Sequence, residues 1–116
     1  MSAAEPAPED PILVELRKLC SRAQRLEEGG CVYFWLPELH LPDRAKPQRC
    51  DALLCIGPRD GYPSRLFFAE RVEGPTALNW NCETFILQRC WFAFSWKVQE
   101  GLPPVRQLSA HLRALR

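Results

Sequence analysis

Cysteine has the widest chemical reach in this chain. Six of the 116 residues are Cys, and Cys82 and Cys90 both lie in the aromatic run 78–96. A thiolate is a strong nucleophile that can carry an acyl group as a thioester. A carrier of that kind also needs an amide donor near the oxyanion that develops when an amine attacks. Asn81 precedes Cys90 by nine residues, inside Asn79-Trp80-Asn81. An amide-bearing stretch close in sequence to two thiols makes Cys90 and Cys82 the candidate carriers and Asn81 and Asn79 the candidate donors. A plainer reading stands beside this one. A strand cysteine is commonly a small core hydrophobe, and loop asparagines bond nearby backbone.

Other chemistries find less support. There is no Cys-x-x-Cys, only Cys50-x4-Cys55, and His40 and His111 stand alone, so no metal is expected. No Gly-rich phosphate loop follows a predicted strand, so no nucleotide or other cofactor is expected. Fifteen basic and fourteen acidic residues give a net charge of +1, which argues against nucleic acid as a partner. No apolar run approaches the ~20 residues of a membrane helix. The first ten residues lack a basic n-region, so the reading is a cytoplasmic protein with reduced thiols.

The elements that must position the thiol follow from patterning. Residues 1–9 have the composition of a disordered tail, and 10–116 form one domain. Asp10-Pro11 reads as a helix cap and first turn. Ile12, Leu13, Leu16, Leu19, Cys20, Ala23 and Leu26 recur at helical spacing, which predicts one amphipathic helix up to a stop at Gly29-Gly30. Residues 31–36, 51–56 and 64–72 read as strands separated by Pro- and Gly-rich turns. Pro37 puts any continuation of the first strand on an edge or past a bend. Residues 78–96 form either one long strand or a hairpin turning near Gln88-Arg89. Val105, Leu108, Leu112 and Leu115 then mark a C-terminal helix opened by Pro103-Pro104. The expected class is α+β: an N-terminal helix, an antiparallel four-stranded meander and a C-terminal helix.

This order resembles the ubiquitin-conjugating enzyme superfamily. The stretch Ala52-Leu53-Leu54-Cys55-Ile56-Gly57-Pro58-Arg59-Asp60-Gly61-Tyr62-Pro63 is similar to that family's second strand and the Tyr-Pro that follows it. The Asn81-to-Cys90 interval is close to that between the family's loop Asn and its catalytic Cys. Trp96 and Pro103-Pro104 look like the Trp and Pro beyond that Cys. The chain's compact length is closest to bacterial members, which work in operons with a ubiquitin-like protein and an activating enzyme. The resemblance implies a ubiquitin-like modifier held on Cys90, an activating enzyme that delivers it and a protein target whose amine receives it. Residues 78–81 lack the family's His and Pro. That departure supports the alternative of a non-catalytic interaction module.

Overall fold

Asp10 caps the first helix, as its place before Pro11 predicts. The Ile12 N–H donates to Asp10 Oδ1 (2.9 Å), and Pro11 needs no partner in the first turn. The computed structural model describes residues 10–59 and 61–116, so the expected tail at 1–9 lies outside the described residues. This helix, α1 (Pro11–Leu16), is short and is followed by turns rather than further helix. Residues expected in its second half form a strand, β1 (Gln24–Glu28). Gly29 and Gly30 have φ of 58° and 80°, the left-handed pair of a two-residue hairpin turn. That turn lays β1 against β2 (Cys31–His40), with Glu28 opposite Cys31 and Gln24 opposite Trp35. Strand pairing has overridden helix-forming side chains. Leu19, read as part of a core stripe, is 45% exposed.

β2 continues through Pro37 to His40. The proline sits at a register shift between Leu36 and Leu39, beyond the rungs that β1 fills, so its missing N–H breaks no ladder there. β3 (Arg49–Cys55) and β4 (Arg65–Phe68) follow. The aromatic run is a hairpin, β5 (Trp80–Ile86) and β6 (Arg89–Phe94). Its turn is Leu87-Gln88, one residue earlier than the polar pair predicts, and both residues have positive φ (52° and 64°). α2 (Pro104–Leu112) and a 3-10 turn, Arg113–Leu115, close the chain.

The expected α+β meander of four strands is therefore corrected to a mostly-β fold. Among the described residues six antiparallel strands lie in the order β1-β2-β3-β4-β6-β5, with two short helices. Two features account for the difference: the end of the expected first helix forms β1, and residues 78–96 take the hairpin alternative and so supply two strands. β4 meets β6 at a single rung, Phe68 opposite Phe92.

The two faces of the sheet bury separate clusters. Leu16 of α1 and Leu108 and Leu112 of α2 pack over Phe34, Leu36, Leu54 and Phe68. The C-terminal stripe thus faces the core as its spacing predicts. On the other face, Tyr33, Leu53, Phe67, Ile86 and Trp91 are buried together. Among the described residues no helix packs on that cluster. The β5–β6 hairpin curls across it, so that the Leu87 N–H donates to Glu28 Oε2 (2.7 Å) on the opposite edge of the sheet. No helix among the described residues is long and apolar enough to cross a membrane.

Candidate functional site

Cys90 is the exposed thiol of the chain. It lies on β6 just past the hairpin turn, directly opposite Phe85 of β5. Phe85 is 66% exposed, the most exposed of the large apolar side chains among the described residues. The residue before Cys90, Arg89, turns to the inner face. Its guanidinium stands 5.7 Å from the Trp35 ring and 5.1 Å from the Trp91 ring, and its Nη1 donates to Asp51 Oδ2 (2.9 Å). Trp35 and Trp91 meet edge to face at 5.6 Å. This clamp holds the hairpin onto the sheet and presents Phe85 and Cys90 outward.

Asn81 does not accompany Cys90. It sits at the other end of β5, four residues before Cys90's partner Phe85, a separation of ~13 Å along the strand. There its Nδ2 donates to the Tyr62 hydroxyl (3.0 Å), and its Oδ1 accepts from Arg65 Nη2. The Tyr62 hydroxyl donates to Ser95 Oγ (2.9 Å), and the Arg65 guanidinium lies 4.3 Å over the Tyr62 ring. The bonds to Ser95 and then Asn81 pull the Tyr62 phenol below its ordinary pKa. Asn81 is thus a clip between β5 and the approach to β4, not a donor beside the thiol. Asn79 is exposed, and its carbonyl accepts from the Ser95 N–H (2.7 Å). Cys82, half-buried opposite Ala93, packs against the inner cluster with Ile86 and Trp91. The structure therefore separates all four candidates into two regions. Among the described residues no hydrogen bond or ion pair reaches the Cys90 thiol.

A polar contact that sequence reading missed lies beneath this clip. Ser64 Oγ and His111 Nε2 are 2.7 Å apart, and both are buried. Burial, then the neighbouring Arg65 charge, depresses the His111 pKa to about 4, so the imidazole is neutral at ordinary pH. Neutral histidine has one donor and one acceptor nitrogen, and Nε2 takes one of those roles toward the hydroxyl. The pair resembles a nucleophile and its base, but at 1% exposure Ser64 meets no substrate, and the contact ties α2 to the residue that leads into β4. The signal was present in the sequence. His111 follows Leu108 by three residues, so it falls on the buried stripe.

No disulfide joins any of the six cysteines. Burial raises the Cys20 and Cys50 thiol pKa values, which keeps them protonated and inert. Among the described residues no group of three His, Cys, Asp or Glu could hold a metal ion. Three grooves, of 520 to 570 Å³, are lined elsewhere and include none of Asn79, Asn81, Cys82 or Cys90. The chain matches no protein-family model, no curated protein and no solved structure.

Proposed function

We propose that this chain is a non-catalytic protein-interaction module that binds its partner along β5. The observation that carries the reading is the contrast between the two outer strands. β1 carries Arg25, Glu27 and Glu28, and Arg25 pairs with Glu27 (2.7 Å) and Asp10 (3.9 Å). Charges of this kind blunt a sheet edge against further pairing. β5 carries one charge, Glu83, and no proline, and it displays Phe85. An edge of that composition suits strand addition, in which main-chain bonds give affinity and an exposed side chain gives selectivity.

The test is capture in the native host. A photoreactive phenylalanine analogue at position 85 crosslinks a partner protein. The analogue at position 83 captures the same partner, and adding Phe85→Lys abolishes that second capture. Absence of any partner at both positions, or capture indifferent to Phe85→Lys, overturns the reading.

A second reading keeps Cys90 as the carrier of a ubiquitin-like modifier, loaded by an activating enzyme and discharged to an amine on a protein target. The exposure of Cys90 on the hairpin favours it. With Asn81 engaged at the far end of β5, the oxyanion donor would have to come from a partner. Incubation with activating enzyme, modifier and ATP separates the readings. The interaction module forms no adduct. A reducing-agent-sensitive adduct that survives Cys82→Ala and disappears in Cys90→Ala establishes the carrier instead.

A further inference from the structure

Beyond β6 the charge balance of the chain changes. Residues 96–116 hold four of the fifteen cations, Lys97, Arg106, Arg113 and Arg116, but one of the fourteen acids, Glu100. Three of those cations line a single groove of 550 Å³ between α2 and the segment that leads into it. Among the described residues no Asp or Glu lines this groove, and Glu100 lines a neighbouring cleft with Pro58 and Pro63. Among the described residues none of Lys97, Arg106 and Arg113 forms an ion pair.

The helix sets the spacing. Arg106, Ser109, Ala110 and Arg113 follow one another at three, four and seven residues, so they share one face. The small pair forms the floor, and the two guanidinium stems rise from its ends, roughly 10 Å apart at the rise of a helix. Trp96 forms a side wall. Its Nε1–H donates to the Ala110 carbonyl (2.9 Å), which fixes the indole, and 36% of the residue remains exposed. Arg113 suits the C-terminal end of α2 electrostatically, but Arg106 does not suit its place. It lies in the first turn, where the positive end of the helix disfavours a cation, and no acidic residue stands there to offset it. Folding gains nothing from that charge, whereas an anionic ligand would.

We propose that this groove binds an acidic linear segment of a partner protein, with carboxylates on Arg106 and Arg113 and an apolar side chain between them on Trp96. The span of roughly 10 Å matches about three residues of extended chain. A nucleic acid fits less well. The groove offers one aromatic platform and three cations on a chain of net charge +1, whereas strand binding uses a long basic track with successive stacking rings. The site shares no residue with the β5 edge, so it stands or falls independently of the strand-addition reading.

Fluorescence anisotropy tests the proposal with the full chain and a short labelled peptide in which glutamates flank a leucine. Binding is expected to saturate and to weaken with added salt. The double variant Arg106→Gln with Arg113→Gln should bind ~10-fold more weakly, and a lysine counterpart of the peptide should not bind. Removing a misplaced cation at the start of α2 offsets the loss of a well-placed one at its end, so the variant should melt within a few degrees of wild type, and its weaker binding is then not unfolding. Equal binding of the acidic and basic peptides, or indifference to the double variant, overturns the proposal. Tighter, arginine-dependent binding of a single-stranded oligonucleotide also overturns it.

Discussion

The imidazole of His111 meets the hydroxyl of Ser64 at 2.7 Å inside the core, a polar tie between α2 and the residue that leads into β4. Its proton balance predicts a pH dependence. The imidazole has a pKa of about 4 when folded, against an ordinary 6.5. Below 6.5 the unfolded chain takes up a proton that the folded chain refuses. Stability therefore falls as pH drops from 6.5 to about 4 and levels off below, by at most about 3 kcal/mol from this group. Urea unfolding across that window should show the slope, and His111→Gln should remove most of it. An unchanged slope in the variant would assign it to other groups.

Gln88 holds φ at 64° in the hairpin turn, a region a side chain disfavours. Gln88→Gly should stabilise the protein by about 1 kcal/mol, because glycine adopts that backbone without the steric cost. Leu87 shares the positive φ but packs on the inner cluster, so glycine there should bring no gain. Thermal melts of the two variants compare these effects. A destabilised Gln88→Gly would contradict the turn geometry.

Arg89 combines an ion pair to Asp51 with two aromatic faces. Arg89→Ala should cost about 1–2 kcal/mol, since the pair is partly exposed and the cation–π contacts add to it. Lysine should not restore the loss, because its ammonium cannot stack as a plane between Trp35 and Trp91. Denaturant midpoints of the alanine and lysine variants test this, and full rescue by lysine would mean that charge alone matters.

The end of α1 at Leu16 is tested by a pair of leucines. Leu108→Ala removes a side chain with no exposure and should cost ~2–5 kcal/mol. Leu19→Ala, at 45% exposure, should stay within roughly 0.5 kcal/mol. A long first helix would bury Leu19 and make the two losses comparable.

Where a signal is local, the sequence showed it. Asp10-Pro11 announces a capped helix start, and Leu108, Leu112 and Leu115 announce a buried helix face. Gly29-Gly30 was ambiguous, since a pair of glycines ends a helix as readily as it turns a hairpin. Gln24-Arg25-Leu26-Glu27-Glu28 contains good helix formers and becomes a strand because β2 lies beside it. The separation of Asn81 from Cys90 was hidden for a related reason. A spacing of nine positions from Asn81 to Cys90 cannot tell a loop beside a thiol from two strands turning at Leu87-Gln88. The partners that occupy Asn81, Tyr62 and Arg65, come from well upstream and leave no mark in its neighbourhood.

The single rung between Phe68 and Phe92 makes the last hairpin a separate cooperative unit. β5 and β6 are bonded to each other along their whole length, yet they join the rest of the sheet through that rung, the Arg89 clamp, the Glu28 contact and the side-chain clip of Asn81 and Ser95 on Tyr62 and Arg65. Sub-global opening follows such seams, with the hairpin lifting away intact while β1 to β4 stay paired. In native-state hydrogen exchange, the amides that face the seam should then exchange together and sooner than those of β2 and β3. Each excursion would bare Tyr33, Leu53 and Phe67 to solvent, so this hinge sets how often the molecule shows its neighbours an adhesive surface.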